Sequence, residues 1–153
     1  MIKNNKIGLK GRYKFNIHFP RMLGDINIET DWMENMIVSL GEANILNRLK
    51  DNTQGPIIGM GVGTSGTAPA KGNTSLTSEV RKAIETATVN TTLLTTTFKT
   101  TYTSTEINGK QEIGLFTHAT AGQGQMITRS VFSSISIPAG SNMSVEYVLT
   151  LTA

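Results

Sequence analysis

The sequence predicts a mainly β protein, an antiparallel β-sandwich with one short α-helix, and three observations carry that prediction. Apolar and polar residues alternate along several short stretches, the period of a strand with one face on a core and one in solvent. Gly, Asn, Pro and Ser clusters punctuate those stretches at regular spacing. A single segment changes to helical spacing. The 153 residues make one domain, since single domains run to about 100–200 residues. It divides into an amino-terminal hairpin and helix over 1–55 and the main strands over 56–153.

The first strand is the clearest. Ile7, Leu9, Tyr13, Phe15, Ile17 and Phe19 share one parity, and Lys10, Arg12, Lys14, Asn16 and His18 the other, which predicts a half-buried strand with a basic outer face. Pro20 ends it, Arg21–Asp25 connects, and Ile26, Ile28, Thr30 and Trp32 resume the alternation against Asn27, Glu29 and Asp31. The two stretches predict a hairpin in which acids of the second strand face bases of the first. From Ser39, the expected N-cap, Leu40, Ala43, Leu46 and Leu49 recur every three residues and predict a helix with an apolar stripe. Glu42 lies early in it and Arg48 and Lys50 late, as the helix dipole favours.

Asp51–Gly55 breaks the helix, and Pro56–Met60 reads as a short buried strand entering a Gly, Thr, Ser and Ala loop over Gly61–Gly72. Glu79–Thr105 is dense in Thr, with Leu94, Phe98 and Tyr102 on one parity and Thr95, Thr97, Lys99, Thr101 and Thr103 on the other. It predicts one or two strands with a solvated face. Asn108-Gly109 is a hairpin-type turn signal. Glu112–Phe116, Met126–Ile137 and Met143–Leu151 supply three further strands, separated by turn chemistry at His118–Gln125 and Pro138–Asn142.

Composition and motifs argue against most chemistry. Cys is absent, which removes disulfide scaffolds, thiolate metal sites and Cys nucleophiles. Net charge is +3, a mild excess that falls short of a nucleic-acid-coating protein. No apolar run approaches the roughly 20 residues of a membrane span, and Met1–Lys14 lacks the apolar core of a signal peptide, so a soluble, unprocessed chain is expected. Gly61-Val62-Gly63-Thr64-Ser65-Gly66 has the spacing of a dinucleotide fingerprint, but Thr67-Ala68-Pro69-Ala70-Lys71-Gly72 cannot open the helix that the fingerprint requires. His18 and His118 are the only imidazoles, with no nucleophile elbow and no zinc-ligand spacing. Glu29, Asp31 and Glu34 form an acidic cluster, read as a solvated strand end rather than a cation site. Asn73, Asn90 and Asn142 open chance matches to the glycosylation pattern. Neither cofactor nor metal is expected, and the chain is read as no enzyme.

Two segments stand out as partner-binding candidates. Lys3, Lys6, Lys10, Arg12, Lys14 and Arg21 all precede the first acid, Asp25, giving the amino-terminal segment a positive field suited to an acidic protein neighbour. Nucleic acid is not expected, because Tyr13 and Phe15 sit on the core parity and no exposed aromatics interleave with the bases. Within this segment Lys10, Arg12 and Lys14 are the candidates. In the glycine-rich segment they are Gly61, Gly63, Thr64, Gly66, Pro69 and Lys71, on the ground that exposed loops often carry contacts.

The run Gly61-Val62-Gly63-Thr64-Ser65-Gly66-Thr67-Ala68-Pro69-Ala70-Lys71-Gly72-Asn73-Thr74-Ser75-Leu76 resembles a recurrent stretch in small structural proteins of tailed bacteriophages. Glu106–Phe116, Met126–Phe132 and the closing Val148-Leu149-Thr150-Leu151 resemble later pieces of the same family, in the same order. Gly11–Phe15, Asp31-Trp32 and Asn35-Met36-Ile37 are similar to the start of its longer members. The resemblance implies a virion component without catalysis, made in the host cytoplasm. Its expected placement is the tail apparatus, as an adaptor, baseplate or fibre-anchoring subunit touching other virion proteins and copies of itself. A capsid decoration protein is the alternative. Host-glycan recognition by the loops around Gly61–Gly72 and His118–Gln125 is a third expectation; no membrane partner is expected.

Overall fold

The computed structural model describes residues 8–20 and 24–152. Ile7, Lys3, Lys6 and Arg21 lie outside the described residues. In chain order the elements are β1 (Gly8–Phe19), β2 (Ile26–Glu29), β3 (Met33–Ile37), α1 (Ser39–Lys50), β4 (Gly59–Gly63), β5 (Val80–Ala83), β6 (Thr86–Asn90), β7 (Thr95–Thr103), α2 (Ser104–Ile107), β8 (Glu112–Phe116), β9 (Met126–Val131) and β10 (Asn142–Thr152).

All the strand pairs are antiparallel, and they form one sheet in the order β5-β4-β8-β9-β3-β1-β10-β7-β6, with β2 paired to β1. The mainly β expectation holds. The two separate layers of a sandwich do not: the sheet is continuous and curls into a half-barrel, and β3 is the reason. Its first residues pair with β1, Met33 opposite Tyr13 and Asn35 opposite Gly11, while Met36 and Ile37 pair with Arg129 and Thr128 of β9. One strand therefore hydrogen-bonds to both halves, where two packed layers would meet only through side chains. At the other side β5 and β6 are separated only by Ile84 and Glu85. The Ile84 N–H donates to the Ile58 carbonyl and the Glu85 N–H to the Lys99 carbonyl, both at 2.9 Å, so the chain turns from one end of the sheet to the other.

The concave face holds the core. Tyr13 and Phe15 of β1 and Val145 and Tyr147 of β10 are buried on the predicted parity. Tyr13 stands directly opposite Tyr147 with ring centroids 5.8 Å apart, and Phe15 meets Phe132 edge-on at 4.9 Å. Such aromatic pairs add about 0.5–1.5 kcal/mol beyond their area burial. The Tyr102 hydroxyl donates to the Met60 carbonyl at 2.7 Å, tying β7 to β4 across the curl. Burial pushes the phenols of Tyr102, Tyr147 and Tyr13 up from their ordinary values, Tyr102 further through nearby Glu106, Glu79 and Glu85.

Several local expectations change. The predicted hairpin forms, with Ile28 opposite Ile17, but β2 stops at Glu29 and all four of its residues are exposed, Ile28 by 51%. Among the described residues β2 pairs with β1 alone and its side chains face solvent, so its alternation meets no core. Ser39 is the first helical residue and the extended Val38 precedes it as the cap, without a side-chain cap bond. The strand expected over Met126–Ile137 ends at Val131. Leu94, expected on the core parity, has φ of 52° in the turn before β7 and is exposed. A second helix, α2, accompanies the expected one. Glu106 accepts from the Thr103 N–H (2.8 Å) and hydroxyl (3.1 Å) in a capping box, and Thr103-x-x-Glu106 was its visible signature. Asn108-Gly109 then links α2 to β8 rather than joining two strands. Gly109 takes φ of 76°, and the Asn108 side chain holds the Ile137 backbone at both N–H and carbonyl.

Candidate interaction surface

The convex face of β1 carries the three basic candidates, and the structure separates them. Lys14 is paired with Glu29 at 2.7 Å. Its neighbours across β10 and β7 are Glu146 and Lys99, themselves paired at 2.8 Å, so this stretch is locally neutralised. Lys10 and Arg12 have no ion pair among the described residues. The Arg12 guanidinium carbon lies 4.3 Å from the centroid of the Trp32 ring, and the Lys14 ammonium 4.8 Å from it. The two side chains project from one strand face two residues apart, and the indole spans them, leaving Trp32 37% exposed. Lys10, Arg12, Trp32, Glu34, Leu93 and Thr150 line a groove of about 490 Å³ here.

The glycine-rich segment needs a larger correction. Gly61 and Gly63 are buried residues of β4, between β5 and β8, and belong to no loop. A Cβ on Gly63 would run into the Glu112 carboxylate and the Thr77 carbonyl, and one on Gly61 would lie 3.1 Å from the Phe116 ring. The glycines are there for close approach between strands, a role that spacing alone cannot distinguish from loop flexibility. Thr64, Gly66, Pro69 and Lys71 do lie in the connection that follows, and Gly66 is exposed. That connection is fastened at several points.

Glu112 and Arg129 form a buried ion pair, 1% and 4% exposed, with Arg129 Nε donating to Glu112 Oε2 at 2.8 Å. The other oxygen of Glu112 accepts the N–H groups of Ser65 (3.0 Å) and Thr77 (2.7 Å), and Arg129 also donates to Asn73 Oδ1. A buried carboxylate satisfied this way binds both ends of the loop to the sheet. Lys71 donates to the Ile37 carbonyl at 2.9 Å and pairs with Glu42, while the Ser39 N–H donates to the Lys71 carbonyl. Its charge is engaged within the chain. A second buried cation, Arg81, pairs with Glu79, stacks 3.4 Å from the Phe116 ring centroid, and donates to the carbonyls of His118, Thr120 and Gln123. The His118–Gln125 turn is thus held as firmly as the first loop. Neither Glu112–Arg129 nor Glu79–Arg81 stood out in the sequence, because Glu112 meets Arg129 only once β8 and β9 pair, and the carbonyls that Arg81 engages beyond Glu79 belong to a loop without a pattern.

Helix α1 presents the least expected surface. It buries Gly41 and Asn44 against β9: a Cβ on Gly41 would collide with the Ile127 carbonyl, and Asn44 donates to Gln125. The expected apolar stripe points outward, with Leu46 66% and Leu49 82% exposed. A repeat of three residues on a helix of 3.6 per turn drifts by about 60° at every step, so Leu40, Ala43, Leu46 and Leu49 spread over half the circumference. Together with Leu9 and Leu151, paired where β1 begins and β10 finishes, Ile37, Ile45, Leu46 and Leu49 line an apolar groove of about 570 Å³.

The remaining candidates have local roles. His18 Nδ1 is 3.0 Å from Asn27 Oδ1 and its Nε2 3.6 Å from Asp25, while His118 Nδ1 accepts the Thr120 N–H. Among the described residues no three of His, Cys, Asp and Glu are grouped to hold a metal ion, and no helix is long and apolar enough to cross a membrane. No protein-family model, curated protein or solved structure matches the chain.

Proposed function

We propose that this chain is a non-enzymatic structural protein of a bacteriophage particle, a subunit of the tail apparatus acting through protein–protein contacts. The observation that carries the reading is the pairing of a firmly fastened sheet with large apolar side chains turned to solvent. Leu46, Leu49 and Leu151 line an open groove, whereas monomers rarely expose contiguous apolar surface without using it. Lys10 and Arg12 add a positive patch on the convex face of the same sheet, suited to an acidic neighbour. The resemblance of its segments to small tailed-phage proteins supports placement in a virion.

Copy number in purified particles tests the placement. A tail subunit appears in about six or twelve copies and a capsid decoration protein in hundreds, by the symmetry of such assemblies. Absence of the chain from the particles that its genome encodes removes the reading altogether. Glycan recognition is a second reading, favoured by the Trp32 ring beside Lys10, Arg12 and Thr150, an aromatic platform with polar groups around it. Binding on a glycan array that is lost in Trp32→Ala supports it, and binding at background removes it.

A further inference from the structure

Thirteen consecutive residues, Thr86–Phe98, carry no charge, and they contain β6, an end strand of the sheet. β6 pairs with β7 alone, and all five of its residues are exposed. Its outer edge therefore presents backbone N–H and carbonyl groups with no strand beside them among the described residues. End strands are ordinarily protected by Lys, Pro, an inward charge or a bulge. β6 has none of these: its residues are Thr-Ala-Thr-Val-Asn, and its register with β7 is unbroken from Thr86 opposite Lys99 to Asn90 opposite Thr95. The strand at the other end, β5, carries Arg81 and Lys82.

We propose that the β6 edge is a self-association surface, on which β6 of a second copy adds antiparallel about a two-fold axis at Thr88. The strand is complementary to itself in this arrangement. Ala87 and Val89 share the face of Phe98 and Thr96, while Thr86, Thr88 and Asn90 share the face of Thr97. Antiparallel pairing centred on Thr88 sets Ala87 against Val89 of the second copy, Thr86 against Asn90, and Thr88 against itself. Every residue keeps its face, and the 67% exposed Val89 gains a cross-strand neighbour. Although the chain has a net charge of +3, no like charges meet along this strand. That neutrality, with the two-fold match of faces, favours a second copy over a foreign strand, and the two-fold closes the assembly at a dimer. The inference stands apart from the virion reading, and either can fail without the other.

The absence of Cys makes the register directly testable in the full chain by single-cysteine cross-linking. Opposed residues in an antiparallel pair have Cα atoms about 4.5–5.5 Å apart, inside the roughly 4.4–6.8 Å reach of a disulfide. Under mild oxidation Thr88→Cys is expected to give a covalent dimer. Thr86→Cys and Asn90→Cys each form no covalent dimer alone, and an equimolar mixture of the two cross-links. Sedimentation of the wild-type chain gives a dimer that Val89→Lys dissociates while its circular dichroism stays native. A wild-type chain that sediments as a monomer at every concentration, a dimer untouched by Val89→Lys, or equal cross-linking of all three single variants overturns the proposal.

Discussion

Replacing Glu112 by Ala removes one partner of the buried pair that fastens the glycine-rich connection. Arg129, 4% exposed, keeps Asn73 as its one side-chain partner among the described residues, and the Ser65 and Thr77 N–H groups lose their acceptor. Leaving one charge of a buried pair uncompensated costs about 3–5 kcal/mol. For a domain of this size each kcal/mol lowers Tm by about 2–4 °C, so the variant melts roughly 6–20 °C below wild type. Urea denaturation followed by tryptophan fluorescence measures the loss, and amide exchange locates it: the Ser65 and Thr77 amides lose protection before those of β1 and β10. The double variant Glu112→Gln, Arg129→Met recovers much of the stability, because the side-chain amide oxygen introduced at position 112 still accepts from the two N–H groups and no charge is left buried. A loss below about 1 kcal/mol for Glu112→Ala, with unchanged exchange at Ser65 and Thr77, would refute the claim that this pair orders the loop.

Further outcomes follow from the same geometry. Gly41→Val drives a side chain into the Ile127 backbone and destabilises by at least the 1–3 kcal/mol or so of an overpacked core, read by urea midpoint. Leu46→Ser with Leu49→Ser leaves the unfolding free energy measured in urea within about 0.5 kcal/mol of wild type, while binding of a hydrophobic dye falls and, on the proposed function, incorporation into particles is lost. Burial raises the Glu106 carboxyl, but the Thr103 N–H and Lys82 outweigh it and hold the pKa below its ordinary value. A lowered carboxyl stabilises above its unfolded pKa and ceases to do so as pH falls through the folded one. Glu106→Gln therefore flattens the acid limb of the stability curve and lowers stability at neutral pH. Lys10→Glu with Arg12→Glu leaves the fold intact and blocks assembly with an acidic neighbour at low salt; assembly at wild-type rate would remove the electrostatic part of the proposal.

Local chemistry determined a good part of this protein. The alternation from Leu9 to Phe19 specified β1 and the face it buries, Pro20 specified where it stops, and Met143–Leu151 specified the strand that became its partner β10. These are legible because a period of two is a property of the chain itself, and a strand with one apolar face has few ways to satisfy it. The change to helical spacing located α1 to within one residue, its cap falling at Val38 instead of Ser39. Of the candidate site, Lys10 and Arg12 were legible as a basic face, since parity alone puts them opposite the core.

What covers each face was decided only by the folded chain. The leucines of α1 read as one apolar stripe, but which side of the helix meets the sheet was not in that spacing: the sheet offers its backbone at Ile127, and Gly41 fits against it. Gly61 and Gly63 read as loop because glycine permits both a flexible turn and a close strand approach, and β5 and β8 chose the second. The single curled sheet depended on β3 sharing its few residues between β1 and β9, and the order of the loop on Glu112 meeting Arg129 across two strands. Such pairings join residues far apart in the chain, so their energies leave no mark on any short window of sequence. The uncharged edge of β6 was visible as composition, but only its place at the end of the sheet makes it a surface.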